Sequence, residues 1–455
     1  MNQKKLREYQ EEDIAALTKP AMCIFNEQRT GKTPTSIVAM KRRQVKHLLV
    51  VCPASIAYKW KEELMEWAGM RAVVIKSAKK FINSLDDLTA DAWIINYENL
   101  RGSKDDTKVL TNILRHYKPD GLIVDEAHRC KDRSSLNHRA INYLCVIPNR
   151  LYLTGTPAPN KQAEVWSLLH YCDPGKFTSY WKFAEEFFYV GNEIVSAYKP
   201  AIRVTGDLKR HKIPEFQKLL AEYSIMRKRK DVMPWLPKEE PPTVIKLECT
   251  TLQKKYVQQL TDTFEIEDSN VECKGVLDSL IRMRQVLASP AILGLKGSSP
   301  KSDWLKQYVK DYPEKSIIFF SNSKIFLGLI GAFFGEHCGL ITGEVPAKKR
   351  QELVDNFQSG RLKLLGIQTQ AGKEGLTLDT ADVTIFLDVF PPAADYMQAK
   401  DRMVATTPER VKPKEIIHLM MQDSYDERLY QLVKNNIAQT AVINDYIHYM
   451  KGESK

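Results

Sequence analysis

Short runs of apolar residues, each followed by a turn and a helix-like stretch, constrain the fold of this chain more than any other feature. The runs occupy residues 47–53, 92–97, 121–126, 150–154, 316–321, 363–368, 383–388 and 415–420. Because they are apolar on both faces and alternate with helical patterns, they predict buried parallel strands in α/β sheets. They fall into two blocks, so the sequence predicts two α/β lobes.

The segment between the two blocks differs from both in composition. Residues 227–230 are all cationic, and the prolines that follow cannot continue a helix or a central strand. This break predicts a first lobe at 1–230, a proline-rich linker at 231–243 and a second lobe at 244–455. A helical pattern at about 250–295 predicts an insertion in the second lobe.

The net charge and the cysteine content limit the kinds of binding partner and the cellular compartments that the sequence predicts. The formal net charge of +11 fits either a nucleic-acid partner or an ordinary solvated basic surface. The eight cysteines lack zinc-ligand spacing, which predicts reduced thiols in a cytosolic compartment. We find no apolar run near the roughly 18 residues of a membrane span and no apolar core of a secretory signal. We therefore expect a soluble protein without a membrane partner.

A phosphate-binding loop is predicted at residues 26–33, which read Asn-Glu-Gln-Arg-Thr-Gly-Lys-Thr and precede a helical pattern. Backbone N–H groups at a helix N-terminus bind phosphate, and a glycine lets the backbone approach it. Lys32 would reach the β- and γ-phosphates, and the Thr33 hydroxyl would bind Mg²⁺. The strict pattern has glycine at the first position, where this chain has Asn26.

Two further loops follow strands of the first block. Residues 122–128, Leu-Ile-Val-Asp-Glu-Ala-His, bring two acids to the carboxyl end of a strand, the edge where open α/β sheets bind ligands. Asp125 would hold Mg²⁺, and Glu126 would position and polarise the attacking water. Residues 153–157, Leu-Thr-Gly-Thr-Pro, place Thr154 and Thr156 on a strand-to-loop turn. The order and spacing of the three loops predict ATP and Mg²⁺ as cofactors.

With these motifs the chain resembles the superfamily-two helicases, and within them the Swi/Snf-like group, from about residue 6 to residue 426. Residues 6–10 are similar to the opening Q-motif, residues 51–55 to motif Ia, and residues 153–160 to the group's L-T-G-T-P-x-x-N. In the second block, residues 368–378 are similar to motif V and residues 398–402 to motif VI. The resemblance implies two RecA-like lobes, each a parallel sheet flanked by helices, with ATP in the interlobe cleft. It also implies an ATP-dependent translocase or helicase on duplex or branched DNA.

The resemblance, together with the motif chemistry, assigns candidate residues. Expected ATP contacts are Gln10, Arg29, Thr30, Gly31, Lys32, Thr33, Gly375 and Arg402. Expected catalytic residues are Lys32, Asp125, Glu126, Gln398 and Arg402, and the expected metal ligands are Thr33 and Asp125. Expected nucleic-acid contacts are Pro53, Ser55, Trp60, Thr156, Ser321 and Thr369, although for Trp60 alone core packing is the favoured interpretation. Cations considered for phosphate-backbone binding are Lys59, Lys61, residues 227–230, Lys324 and Lys373.

Departures from the group's pattern leave alternatives open. The second arginine of motif VI, the usual arginine finger, is replaced by Ala405. Either Arg402 acts alone, or Arg410 reaches in from the following loop, or the ATPase is weak. Ala405 leaves a nucleic-acid clamp with a vestigial ATPase as one rival interpretation, and an RNA helicase is another, because the Asp-Glu-Ala-His sequence alone does not choose DNA. A compact bacterial or phage-type member, monomeric and located in the bacterial or infected-host cytoplasm, is the expected setting.

Overall fold

The computed structural model describes residues 5–75, 90–101, 108–157, 162–193, 202–236, 241–371, 376, 378–388, 411 and 414–434. The chain divides into two compact units, Met1–Pro234 and Trp235–Lys455. This division falls within the segment predicted as a linker, while the exact lobe limits stay a prediction.

The first unit is built on a parallel sheet that accounts for every apolar run of the first block. Its strands are β1 (Ala21–Ile24), β2 (Leu48–Cys52), β3 (Ala72–Ile75), β4 (Ala92–Asn96), β5 (Gly121–Asp125), β6 (Asn149–Leu153) and β9 (Ser224–Ile225); β7 (Phe188–Glu193) and β8 (Ile202–Leu208) form a separate antiparallel hairpin. The sheet order is β3-β4-β2-β5-β6-β1-β9. The strand after which the phosphate loop begins, β1, therefore pairs directly with β6.

Helices flank this sheet. They are α1 (Glu8–Ala16), α2 (Lys32–Arg42), α3 (Ala57–Ala68), α4 (Tyr97–Arg101), α5 (Lys108–Asn112), α6 (Leu136–Tyr143), α7 (Trp166–Cys172), α8 (Tyr180–Phe187), α9 (Ile213–Tyr223) and α10 (Arg229–Val232). A π-helical turn, Ile113–Tyr117, follows α5. Side-chain oxygens of Ser135 and Ser179 accept backbone N–H groups at the starts of α6 and α8, which satisfies donors that a helix leaves unpaired there.

Alternate residues of each strand pack on opposite faces of the first sheet. Leu49 and Val51 of β2 belong to one buried cluster with Leu122 and Tyr152. Leu48 and Val50 belong to a second buried cluster, with Ile37 of α2 and Leu64 of α3. Because helices cover both faces, the strands need apolar residues at successive positions, which explains why their sequences read as unbroken apolar runs.

The second unit repeats this plan with a second parallel sheet. Its strands are β10 (Thr243–Leu247), β13 (Ile317–Ser321), β14 (Cys338–Ile341), β15 (Leu364–Gln368), β16 (Val383–Phe386) and β17 (Glu415–Met421), and β11 (Glu265–Ile266) and β12 (Val271–Glu272) form a short hairpin. The sheet order is β10-β17-β16-β13-β15-β14. The predicted architecture of two parallel sheets flanked by helices is confirmed.

The helices of the second unit are α11 (Thr251–Asp262), α12 (Val276–Ala288), α13 (Pro300–Asp311), α14 (Lys324–Phe334), α15 (Ala347–Gln358) and α16 (Tyr425–Lys434). The segment predicted as a helical insertion contains α11, the β11–β12 hairpin and α12. Its buried residues, such as Leu260 and Met283, pack with Tyr425 and Leu429 of α16. Within the described ranges we find no helix with both the length and the apolar character needed to cross a membrane.

Candidate active site

The loop between β1 and α2 has the backbone shape of a phosphate-binding loop. Gly31 caps α2 with φ +78°, a left-handed conformation that favours glycine. A Cβ atom on Gly31 would also lie 2.3 Å from Nε2 of Gln10. The backbone angle therefore favours glycine here, and any side chain at this position would also displace the amide of Gln10.

Lys32 lies over the carbonyl groups of the loop that precedes it. Its Nζ donates to the carbonyl oxygens of Asn26 and Glu27, at 2.9 and 3.2 Å. Thr33 is the second residue of α2 and is half-buried. The first N–H groups of an α-helix have no partner within the helix and, with the helix dipole, attract phosphate. An ammonium group, a hydroxyl and these donors together fit the phosphates of a nucleotide.

The segment similar to the Q-motif, residues 6–10, contacts the phosphate loop itself. The Tyr9 hydroxyl donates to the Thr30 carbonyl at 2.8 Å, and Gln10 Nε2 donates to the Gly31 carbonyl at 3.2 Å. Gln10 Oε1 accepts the backbone N–H of Arg7 at 2.8 Å, and the Gln10 side chain is buried. The amide nitrogen of Gln10 thus holds the loop while its oxygen caps the start of α1, and Tyr9 is a loop contact that the sequence reasoning missed.

Asp125 ends β5 and is held from two sides. Its Oδ2 accepts Nε1–H of Trp60 at 2.9 Å, and its Oδ1 accepts the backbone N–H of Glu126 at 2.9 Å. Burial, followed by the negative charge of Glu126, raises the pKa of Asp125 to about 6, while the Trp60 bond and the charge of Lys32 oppose this rise. A cation placed beside this carboxylate would favour its charged form.

Glu126 and the Leu-Thr-Gly-Thr-Pro loop are joined through His128. Glu126 adopts a left-handed backbone, φ +50°, and its Oε2 lies 3.2 Å from Nδ1 of His128. The same Nδ1 lies 3.1 Å from Oγ1 of Thr154. His128 was not among the predicted site residues, although it completes the Asp-Glu-Ala-His sequence in which two of them lie.

The Leu-Thr-Gly-Thr-Pro loop also lies against the phosphate loop. Thr154 Oγ1 accepts the backbone N–H of Thr156 at 3.1 Å, which shapes the turn. A Cβ atom added to Gly155 would lie 3.2 Å from Cγ of Gln28 and 3.6 Å from Nζ of Lys32. The carboxyl edge of the first sheet therefore brings together all three loops that the sequence predicted as one site.

These residues fit a magnesium nucleotide. Mg²⁺ in phosphate-transfer sites is commonly bound by one or two protein oxygens and by substrate phosphates. Thr33 and Asp125 could supply such oxygens, while the described residues contain no group of three or more His, Cys, Asp or Glu side chains that could hold a metal alone. The metal assignment to Thr33 and Asp125 remains a prediction.

Comparison with known families agrees with this geometry. The family model of the SNF2-related domain matches residues 5–292, which is more than half of the chain. The chain belongs to the SNF2-related domain family. A second model, the helicase conserved C-terminal domain, matches residues 300–405 of this SNF2-related chain.

Curated relatives of the SNF2-related chain are larger proteins. A chromodomain-helicase-DNA-binding protein 1-like of Mus musculus is 25% identical over 99% of this chain and 51% of its own length. The CHD3-type chromatin-remodeling factor PICKLE of Arabidopsis thaliana is 25% identical over 91% of this chain and 32% of its own length. The chain thus spans about half the length of its relatives or less. A solved structure, the Sulfolobus solfataricus SWI2/SNF2 ATPase core in complex with dsDNA, covers 99% of this chain and 94% of its own, at 20% identity and a TM-score of 0.43.

The relatives correct the predicted setting. The sequence led us to expect a bacterial or phage-infected host cytoplasm. That expectation is wrong on this comparison, because the curated relatives come from animals and a plant, and one is named a chromatin-remodeling factor.

Several predicted nucleic-acid contacts are buried and need correction. Trp60 is 2% exposed, and its indole N–H is bonded to Asp125, so it is a core and site-positioning residue in this structure. Ser321 is 0% exposed and donates its hydroxyl to Asp388 Oδ2 at 2.5 Å. Thr369 is 1% exposed, and Pro53 is also buried. Ser55 and Thr156 are partly exposed, and their assignment stays a prediction.

The cationic run at 227–230 also has a different environment from the one expected. Arg227 pairs with Glu12 and Asp13 of α1, at 2.8 Å in each case. The backbone N–H of Arg229 donates to Oε2 of Glu27 at 2.7 Å. These two arginines hold the first unit together instead of presenting free cations to a phosphate backbone.

The remaining assignments fall in two groups. Arg29 and Thr30 lie in the phosphate loop, Arg29 with φ +70° and Thr30 buried with its hydroxyl donating to the Glu27 carbonyl at 2.7 Å. The predicted residues Lys373, Gly375, Gln398, Arg402, Ala405 and Arg410 lie outside the described residues.

Proposed function

We propose that this chain is a DNA-dependent ATPase that couples ATP hydrolysis to movement along duplex or branched DNA. The observation that carries the proposal is the meeting of three loops at one sheet edge, where Glu126 and Thr154 both contact His128 and Lys32 Nζ lies close to Gly155. Membership in the SNF2-related family supports this proposal, as do the relatives that are named helicase and DNA-binding proteins.

Each residue of the edge has a proposed task. Lys32 and the N-terminus of α2 bind the β- and γ-phosphates, and Thr33 and Asp125 orient the metal. Bound Mg²⁺ neutralises charge on the phosphates. Glu126 takes up the proton of the attacking water, and His128 holds Glu126 in place. Because His128 also contacts Thr154, a shift of the 153–157 loop would move the base relative to the phosphate.

The exposed side of α3 is the proposed DNA contact of the first unit. Lys59 and Lys61 are exposed there, and phosphate contacts of this kind bind without reading sequence. The same helix holds Asp125 through Trp60. DNA bound on the outer face of α3 would therefore press on a helix that touches the catalytic carboxylate.

Steady-state hydrolysis of ATP tests the proposal. The wild-type chain is measured alone and with single-stranded DNA, duplex DNA and RNA, beside Glu126→Gln and the control Glu164→Gln. Glu164 is a similarly half-buried carboxylate of the first unit, paired with Lys131 at 2.9 Å. We expect stimulation by duplex DNA that is lost in Glu126→Gln and kept in Glu164→Gln. Stimulation by RNA alone, or nucleic-acid binding without hydrolysis, would contradict the proposal.

A further inference from the structure

A buried carboxylate lies behind the phosphate loop, on the helix that precedes β1. Asp13 of α1 is 1% exposed. Its Oδ1 accepts Nε–H of Arg227 at 2.8 Å, and its Oδ2 accepts the side-chain amide of Asn26 at 2.6 Å. One carboxylate therefore joins Asn26, the first residue of the phosphate loop, to Arg227, which lies 214 positions from Asp13 in the chain.

This contact accounts for asparagine at a position where the strict loop pattern has glycine. Asn26 is buried, and only its amide nitrogen can donate to the carboxylate of Asp13. An aspartate at the same position would place a second carboxylate at hydrogen-bond distance from the first, where two charges repel strongly. Asn26 also presents its backbone carbonyl to Nζ of Lys32 at 2.9 Å.

The loop is bonded to the 225–229 segment along its backbone as well. Phe25 N–H donates to the Ile225 carbonyl at 2.8 Å, which continues the pairing of β1 with β9. Glu27 N–H then donates to the Arg227 carbonyl at 3.0 Å. Hydrogen bonds of the main chain and of Asp13 thus fix the same stretch of loop, immediately before the residues that bind phosphate.

From these contacts we infer that Asp13, Asn26 and Arg227 form a clamp that sets the position of the phosphate loop, with Asp13 as its central positioning residue. The inference rests on the proposed nucleotide site and deepens it. Lys32 follows the clamped stretch by only a few residues, so the clamp fixes the carbonyls that orient Lys32 before nucleotide binds. Loss of the clamp raises KM for ATP and weakens nucleotide affinity more than it changes kcat at saturating ATP.

A mutant cycle tests the clamp. The variants are Asn26→Asp, Asp13→Asn and the double variant, with Glu11→Gln as control. Glu11 lies two residues from Asp13 on α1 and forms an exposed pair with Arg42 at 2.7 Å, so it tests disturbance of α1 in general. Kd for Mg·ADP by calorimetry, KM and kcat for ATP, and the melting temperature without nucleotide are measured for each.

We expect Asn26→Asp to raise KM and Kd at least tenfold, because it sets two carboxylates against each other. The double variant should recover most of that loss, since it restores one carboxylate facing one amide. Glu11→Gln should match the wild type. The clamp is overturned if Kd for Mg·ADP is equal in Asn26→Asp and the wild type. It is also overturned if the double variant loses as much nucleotide affinity as the two single variants added together.

The proposed function fails in a distinguishable way. If the proposed nucleotide site is wrong, the wild type itself would bind no Mg·ADP, and its nucleotide binding would not differ from that of Lys32→Ala. The clamp would then be overturned together with the proposed function. A wild type that binds nucleotide through Lys32, with the cycle showing independent effects, overturns the clamp alone. A third outcome is a lower melting temperature that is not restored in the double variant, with Kd for Mg·ADP unchanged. Asp13, Asn26 and Arg227 would then have a merely structural role, and this too overturns the clamp.

Discussion

The carboxyl edges of the two parallel sheets carry similar polar residues, but those residues are arranged differently. In the first unit, Glu126 follows β5, and its side chain is 24% exposed beside His128. In the second unit, Asp388 follows β16 and is 7% exposed. Its carboxylate accepts the Ser321 hydroxyl at 2.5 Å and the backbone N–H of Asn322 at 3.1 Å.

The difference shows that a parallel sheet alone does not make a catalytic site. Asp388 is satisfied by the turn after β13, so it stabilises the second unit from within, and burial raises its pKa. At the first edge, a glycine-containing loop brings a lysine and helix N–H groups near the acids. The difference between a candidate active site and a structural turn therefore lies in the loop after the strand, not in the strand itself.

The largest expected effect contrasts two lysines that each begin a helix after a strand. Lys32 begins α2, and Lys324 begins α14, where it forms an exposed pair with Glu344. Lys32→Ala should lower ATP hydrolysis by about 10²–10³-fold or more, because it removes a donor to the transferring phosphate. Lys324→Ala should leave ATP hydrolysis without nucleic acid within about twofold, since surface pairs contribute little. Equal losses of ATP hydrolysis in both variants would show that the two sheet edges do not differ in function.

Buried charge in the second unit should be needed for stability. Lys301 is fully buried and pairs with Asp426 at 2.6 Å. Lys301→Met leaves Asp426 unpaired and should cost about 3–5 kcal/mol, seen as a lower urea midpoint for the second unit. The control is Lys246→Met, which breaks an exposed pair with the neighbouring Glu427 and should cost less than about 1 kcal/mol. A midpoint unchanged by Lys301→Met would argue against this assignment.

Two tryptophans of α3 allow the hydrogen bond to Asp125 to be tested against a similar bond outside the site. Trp60 donates to Asp125 at 2.9 Å, and Trp67 donates to Glu63 at 2.8 Å. Trp60→Phe keeps an aromatic ring at this position but removes the indole donor, so it should raise the Mg²⁺ concentration needed for half-maximal nucleotide binding by about tenfold. Trp67→Phe should leave that concentration unchanged. If both variants behave alike, Trp60 is only a packing residue.

The smallest effect concerns the corrected nucleic-acid contacts. Ser321→Ala removes two hydrogen bonds, one to Asp388 and one from the Ser323 backbone N–H, and should cost about 1–2 kcal/mol of stability without changing DNA affinity. Lys59→Glu combined with Lys61→Glu, on the exposed side of α3, should lower DNA affinity and reduce the salt dependence of binding by about two ion equivalents. The DNA affinities of both variants, measured at several salt concentrations, show which of the two sites contacts DNA. A loss of DNA affinity in Ser321→Ala would restore the original assignment of that residue.

Much of the fold was predictable because its strands are buried on both faces. All eight apolar runs became strands, including β2, β5 and β13. The four-residue strands β1, β3 and β14 were missed, since a run that short does not differ from the apolar face of a helix. The hairpin of β7 and β8 was also missed, because its register includes a bulge and its residues carry no simple alternation.

The loops of the first edge were also predictable, because a short segment contains each of them. Lys32, Asp125, Glu126 and Thr154 are placed by local sequence that follows a strand, and strand order then brings them together. Trp60 is buried, in agreement with the core packing favoured for it from the sequence, whereas the burial of Ser321 was not expected, since motif position does not say which way a side chain points. Their burial follows from the packing of α3 on β5 and of Asp388 on the turn after β13.

The architecture and the chemical groups of the site follow from the amino-acid sequence alone, since burial on both faces and loop composition are local properties. The contacts that hold those groups in place became known only from the folded chain. The partners of Asp125, His128 and Asp13 lie 65, 26 and 214 residues away along the chain. Contacts over such separations depend on strand order and helix packing, and no local pattern in one sequence encodes them.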